Sequence, residues 1–97
     1  MLLNFLKEKM AWSQKMFGNQ TPMGVIEHIL KELDELKETP YSLEEWCDVI
    51  LLAFDGAWRA GYTAEQIIEM LQHKQAVNIS RQWTKPANEN VAVEHER

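Results

Sequence analysis

The sequence lacks a second cysteine, a long apolar run and an excess of basic residues. Its one thiol, Cys47, cannot form an internal disulfide, which favours a reducing compartment. No apolar run approaches the ~20 residues that a membrane-spanning helix needs. Lys and Glu interrupt the N-terminal stretch, unlike the apolar part of a secretion signal. We therefore expect a cytoplasmic protein.

The net charge of −5 and the absence of several motifs exclude some classes of function. Binding along a DNA or RNA backbone needs clustered Lys and Arg, which this acidic chain does not supply. The sequence contains no P-loop, dinucleotide fingerprint, EF-hand loop or nucleophile elbow. Small phosphorylated ligands are still compatible with the charge, because divalent metal ions can lie between an acidic site and a phosphate.

What is present is helical periodicity along most of the 97 residues, a length typical of one domain. The apolar pattern and the capping residues predict helices over about 2–17, 21–39, 42–60 and 63–83. The short connections predict antiparallel neighbours, and therefore an all-α four-helix bundle over residues 1–83. Residues 84–97 are polar without an apolar stripe, which predicts a flexible C-terminal tail.

The third predicted helix is apolar around most of its circumference, and yet it carries acids. The run Val49 to Phe54 predicts a helix buried on most sides. Asp55 has a natural ion-pair partner in Arg59, four residues later. Glu45 has two roles open to it, a capping-box contact or metal ligation, and the sequence does not decide between them. Asp48 is hardest to explain without a cation, because an unpaired buried charge is costly.

The second predicted helix carries a matching pair of acids. Glu32 and Glu35 are three residues apart, as Glu45 and Asp48 are on the next helix. Antiparallel packing through the short turn would place all four carboxylates around one point. Such a cluster normally needs cations, and all-oxygen ligation suits Mg²⁺ or Mn²⁺. The alternative is a solvated face, because charged side chains on amphipathic helices are mostly exposed.

Five further side chains are candidates for contact with a substrate. Lys74, Asn78 and Arg81 share one face of the fourth helix, where they could bind phosphate oxygens and a base or sugar. A solvated basic turn that complements the helix dipole is the alternative. Trp12 could stack on a base, although aromatic residues are more often core or interface. His28 could contact substrate or carry a proton, and the alternative is a surface histidine.

Four segments together resemble a known family. They are "WSQKMFG" (12–18), "EHILKELDEL" (27–36), "EEWCDVILLAFDGAWRAG" (44–61) and "KQAVNISRQW" (74–83). In this order they resemble the MazG-like all-α nucleotide pyrophosphohydrolases, and more closely the small dATP/dGTP diphosphohydrolase branch often found in phages and bacteria. ExxE and ExxD are weak patterns alone. The four segments are specific because they cover nearly the whole chain before the tail.

The resemblance implies an enzyme that hydrolyses a nucleoside triphosphate, with dATP and dGTP preferred, to the monophosphate and pyrophosphate. It implies that four acids bind Mg²⁺, or Mn²⁺ in its place: Glu32, Glu35, Glu45 and Asp48. Glu35 would orient the attacking water, Lys74 and Arg81 would stabilise phosphate charge, and Asn78 would position the nucleotide. The chain would form a homo-oligomer, a dimer or tetramer, with sites that draw on more than one copy.

Two other functions stay open at this point. One is a related metal-dependent phosphohydrolase that acts on dUTP or a modified nucleotide. The other is a helical interaction module that keeps the fold without catalysis, although the presence of all four acids argues against it.

Overall fold

The computed structural model describes residues 1–84, 86 and 88–96. It contains four helices, α1 (Leu2–Phe17), α2 (Pro22–Glu38), α3 (Leu43–Arg59) and α4 (Ala64–Ser80). Helices α2 and α3 pack most extensively against each other, while α1 contacts both α3 and α4. The predicted all-α four-helix architecture is confirmed.

The three internal helices begin at the predicted caps, because a hydroxyl there accepts a free backbone N–H. Thr21 Oγ1 accepts from the N–H of Gly24 at 3.3 Å and begins α2. Ser42 and Thr63 take the same position before α3 and α4. These local bonds fix the residues at which the three helices begin.

A buried polar network joins α1 to α3. Asp55 is only 5% exposed. Lys9 Nζ donates to Asp55 Oδ1 at 2.8 Å, and Ser13 Oγ donates to Oδ2 at 2.9 Å. Both carboxylate oxygens therefore have a donor, which a buried charge requires.

The predicted ion pair between Asp55 and Arg59 is wrong. Arg59 instead donates through one terminal nitrogen to the carbonyl oxygens of Gly18 and Gln20, at 2.8 and 2.9 Å. Its other terminal nitrogen donates to the carbonyl and hydroxyl oxygens of Ser13, at 3.2 and 3.1 Å. The long guanidinium side chain reaches loop carbonyls that need donors, whereas Lys9 lies close enough to pair with Asp55.

Helix α3 is less buried than its composition predicted. Asp55 is the buried residue of this helix, whereas Trp46 and Ile50 are 47% and 51% exposed. Ile26 and Leu30 on α2 are also about half exposed. The radius of gyration is 15.5 Å, against about 12.5 Å for a compact chain of this length. One copy of the chain therefore leaves apolar helix surface open to solvent.

A short ribbon that the sequence did not predict follows α4. The fourth helix ends at Ser80, and β1 (Gln82–Thr84) pairs antiparallel with β2 (Glu94–Glu96). Strands of three residues are too short to show an alternating pattern. That 84–97 is a flexible tail stays a prediction, and residues 85, 87 and 97 lie outside the described residues.

Over the described part of the chain, none of the helices has the length and apolar character needed to cross a membrane.

Candidate active site

Packing of α2 against α3 brings three carboxylates together. One oxygen each from Glu32, Glu35 and Glu45 lies within 4.8 Å of the other two. The Oε2 atoms of Glu32 and Glu45 are buried and have no hydrogen-bond donor. Leaving such an oxygen unsatisfied is costly, and a hard divalent cation can satisfy several at once. These three residues therefore fit a metal site with oxygen ligands.

Asp48 lies next to this group, one turn of α3 beyond Glu45. Its charge helps to raise the pKa of both Glu32 and Glu45, although its carboxylate is not one of the three whose oxygens lie within 4.8 Å of one another. It is half-buried and shares a cleft with Glu32. The fold thus groups three of the four predicted acids, and metal ligation by Asp48 stays a prediction.

The side chain of Glu45 belongs to the acid cluster and not to a capping box. Ser42 Oγ accepts from the backbone N–H of Glu45 at 3.3 Å. The reciprocal bond is missing from α3, because the N–H of Ser42 donates to the carbonyl of Thr39 at 3.0 Å. By contrast, Thr63 and Gln66 make both capping-box bonds at α4. The sequence left open whether Glu45 makes a capping-box contact. The turn before α3 excludes that contact, because it already uses the N–H of Ser42.

Burial and like charges raise the pKa of Glu32 and Glu45. For Glu32, burial is the largest cause, followed by the charge of Glu35 and a hydrogen bond with it, then the charges of Asp48 and Glu45. For Glu45, burial again comes first, followed by the charges of Glu35, Asp48 and Glu44. The ionised cluster therefore opposes folding in metal-free protein, and a bound cation would reverse this effect.

We expect metal-free protein to gain stability as the pH falls from neutral towards the ordinary glutamate pKa of 4.5. A carboxyl group whose pKa is raised by folding binds protons more readily in the folded state. Its penalty is therefore fully present above the raised pKa and disappears towards the ordinary glutamate value of 4.5. Glu65 has its pKa lowered, chiefly by a hydrogen bond with Lys7, and loses its contribution only below this window.

Thermal unfolding in EDTA across this pH range measures the effect. Glu45→Gln removes one charge of the cluster, so we expect this variant to be more stable than wild type at neutral pH. Its stability should also depend less on pH. A pH dependence as steep as that of wild type would show that the cluster is not its source.

A cleft of about 530 Å³ opens beside the acids. Its lining includes Glu32 and Asp48 together with three aromatic residues of α1 that are each about half exposed: Phe5, Trp12 and Phe17. The rings of Trp12 and Phe17 meet edge to face, with centroids 5.6 Å apart. The volume is typical of small-molecule sites, which combine apolar walls with a few polar groups.

Two of the predicted substrate residues line this cleft. They are Trp12 and His28. The Nε2 atom of His28 lies 3.6 Å from Oε1 of Glu32. The fold therefore brings both next to the acids, and their contact with substrate stays a prediction.

The other three predicted substrate residues are not among the described residues that line the cleft. Lys74 lines a separate pocket with Met70 and His73. Asn78 lies in the last turn of α4, and Arg81 follows that helix as its C-terminal cap. Among the described residues, the acidic cleft and Lys74 thus belong to different pockets.

Apart from Trp12, sequence reasoning missed the contribution of α1 to the cleft. Phe5, Lys9 and Trp12 are spaced i, i+4, i+7, which places them on one face of a helix. Asp55 follows Asp48 by seven residues on α3, again on the same face. These spacings were the available signal. Only the fold shows that these two helix faces meet at the cleft.

Comparison with known proteins agrees with this geometry. A family model for dATP/dGTP pyrophosphohydrolases matches residues 5–96. Among solved structures, the chain is similar to a cyanophage S-2L MazG-like pyrophosphohydrolase bound to dGDP and three catalytic Mn²⁺ ions per active site. The two are 28% identical with a TM-score of 0.79, over 100% of this chain and 98% of that one. No curated protein matches the chain.

The family match covers nearly the whole chain, including most of the segment after α4. It confirms the predicted resemblance and the predicted class of enzyme, a nucleotide pyrophosphohydrolase. The glutamates that α2 and α3 bring together thus lie in a fold whose solved relative holds a nucleotide and metal ions. The chain belongs to the dATP/dGTP pyrophosphohydrolase family.

Proposed function

We propose that this chain hydrolyses dATP or dGTP to the deoxynucleoside monophosphate and pyrophosphate, with Mg²⁺ or Mn²⁺ as cofactor. The observation that carries the proposal is the group of three glutamates, with two buried oxygens that lack donors, beside a cleft of nucleotide size. The S-2L relative supports it, because that protein binds dGDP and Mn²⁺ ions.

Four acids of α2 and α3 would hold the metal: Glu32, Glu35, Glu45 and Asp48. A divalent ion held there would supply positive charge for the phosphates and make the attacking water more acidic. Glu32 and Glu45 are half-buried, which makes them fixed ligands, whereas Glu35 is exposed and open to solvent. We assign to Glu35 the orientation of the attacking water and the acceptance of its proton. The water attacks the α-phosphorus, and the bond to the bridging oxygen of the leaving pyrophosphate breaks.

We also propose a homo-oligomer, a dimer or tetramer, in which α4 of one copy completes the site of another. Lys74 and Arg81 would then stabilise phosphate charge, and Asn78 would position the nucleotide. The half-exposed apolar residues of α2 and α3 support an interface, because surface of this kind is usually covered. Light scattering coupled to gel filtration tests the oligomer. A monomer that is fully active would exclude shared sites.

A panel of dNTPs and NTPs with Mg²⁺, Mn²⁺ or EDTA tests the proposed reaction. We expect pyrophosphate as the direct product, purine deoxynucleotides as the best substrates, and loss of turnover in EDTA. Direct release of orthophosphate would exclude attack at the α-phosphorus. Selective turnover of dUTP or a modified nucleotide would replace the proposed substrate. Failure to bind either metal would favour an inactive interaction module.

A further inference from the structure

The cleft contains an ion pair that the proposed chemistry at the acids does not use. Lys9 and Asp55 both line the cleft, and their side chains are only 11% and 7% exposed. Lys9 Nζ lies 2.8 Å from Asp55 Oδ1. A charged pair this well buried, next to aromatic rings and open towards a cavity, can give hydrogen bonds to a ligand at little cost in reorganisation.

The surroundings of the pair suit a nucleobase better than a phosphate. Phe5, Trp12 and Phe17 supply apolar ring surface in the same cleft, and flat bases stack on such rings. Glu8 also lines the cleft, and Asp55 already neutralises Lys9. A phosphate would therefore meet negative charge there without a free cation to balance it.

The spacing along α3 fits a nucleotide that extends from the acids to this pair. Asp55 follows Asp48 by seven residues, or about 10 Å along the helix axis. Both side chains line the same cleft. This length is comparable with the span from the 5′ phosphate of a purine nucleotide to the far edge of its base. A phosphate at the acids therefore places the base edge near Lys9 and Asp55.

The pair retains hydrogen-bonding capacity after its own contacts are made. Lys9 has three N–H donors, and one of them goes to Asp55. Each oxygen of Asp55 accepts one bond, from Lys9 or Ser13, and can accept another. A donor and an acceptor thus lie side by side. Guanine offers O6 and N1–H to such a pair, and adenine offers N1 and the N6 amino group.

We propose that the Lys9–Asp55 pair binds the Watson–Crick edge of the purine base and sets the preference between guanine and adenine. This inference rests on the proposed function, since it concerns the base of the same substrate. Lys9 donates to O6 of guanine while Asp55 accepts from N1–H. Adenine presents its donor and acceptor in the reverse order along this edge, so it can pair N1 with Lys9 and its amino group with Asp55 only if the ring turns over. The pair therefore distinguishes the two purines.

Base analogues test this contact on the wild-type protein. A methyl group on N1 of dGTP removes the hydrogen that Asp55 accepts, whereas dITP keeps both O6 and N1–H. We expect kcat/KM for 1-methyl-dGTP to fall by about 10- to 100-fold, the usual range for a hydrogen bond to a charged group. We expect dITP to stay near dGTP. Equal rates for 1-methyl-dGTP and dGTP would overturn the proposal.

The variant Lys9→Arg is a second test of the base contact. It keeps the cation that Asp55 needs for folding but changes the geometry of the N–H donors that face the base. We expect the ratio of kcat/KM for dGTP to that for dATP to change by about fivefold or more. Lys7→Arg is the matched control, since Lys7 lies on the same helix and pairs with Glu65 at 2.6 Å outside this cleft. A pair that only holds α1 on α3 would leave the ratio unchanged in both variants, and would refute the proposal.

Binding measurements separate this inference from the reaction itself. Calorimetric titration of dGMP and 1-methyl-dGMP into the wild-type protein with Mn²⁺ reports base contact without turnover. A protein that binds dGMP at least 10-fold tighter than its 1-methyl form, yet hydrolyses no triphosphate, would disprove the proposed function and retain the base contact. Equal binding of dGMP and 1-methyl-dGMP, together with full hydrolysis of the triphosphate, would disprove the base contact and retain the proposed function.

Discussion

Replacing Asp48 by asparagine is expected to reduce kcat/KM by about a thousandfold while the chain stays folded, since metal-ion catalysis contributes several kcal/mol. Asparagine keeps the size of the side chain but removes the charge that faces Glu32 and Glu45. Loss of that charge weakens binding of a divalent cation and stabilises the metal-free cluster. Steady-state kinetics, Mn²⁺ titration by calorimetry and circular dichroism measure the three effects separately.

Asp34→Asn is the matched control for this experiment. Asp34 allows the same substitution on α2, between Glu32 and Glu35, but it is exposed and is not among the residues that line the cleft with Glu32 and Asp48. We expect its activity and metal affinity to stay within about twofold of wild type, as for most surface substitutions. Near-normal activity of Asp48→Asn would contradict the metal assignment, and equal losses in both variants would point to a general effect of charge.

The second large effect is expected on stability. Arg59→Ala should lower the free energy of unfolding by about 3 kcal/mol or more, because hydrogen bonds to charged groups are strong and the abandoned carbonyls need donors. Arg59 donates to the carbonyls of Ser13, Gly18 and Gln20, and so holds the loop after α1 against α3. The corresponding fall in melting temperature is about 12 °C or more for a domain of this size.

Lys7→Ala provides the comparison, since it removes an ion pair with Glu65 whose side chains are 54% and 52% exposed. Exposed pairs contribute little to stability, so the two alanine variants should differ clearly in denaturant unfolding. Comparable losses would show that the contacts of Arg59 contribute no more than a surface pair. Folded Arg59→Ala protein at low temperature should still bind Mn²⁺, because Arg59 is not part of the acid cluster.

The helices and the acids could be predicted because both depend on local spacing. Thr21, Ser42 and Thr63 cap their helices through bonds that span three residues. Glu32 and Glu35 lie one turn apart on α2, and a turn as short as the one before α3 leaves few ways for the two helices to pack. The convergence of the acids therefore follows from the sequence almost as directly as the helices do.

The partner of Asp55 could not be predicted in the same way. Arg59 is the neighbour along the helix, but Lys9 is the neighbour in space, from a segment 46 residues earlier. The burial of α3 also depends on what surrounds it. Its apolar faces are more extensive than the three other helices of one chain cover, which leaves Trp46 and Ile50 about half exposed.

By itself, the sequence determined the four helices, their caps and the pairing of acids across α2 and α3, because periodicity, hydroxyl caps and charge spacing act over a few residues. Only the tertiary structure decided three further features: that Lys9 pairs with Asp55, that the side chain of Glu45 makes no capping-box bond, and that further aromatic residues of α1 join Trp12 in lining the cleft. The reason is physical. Such contacts join residues far apart in the chain, and any of several nearby groups could satisfy the same charge until packing fixes which one lies within reach.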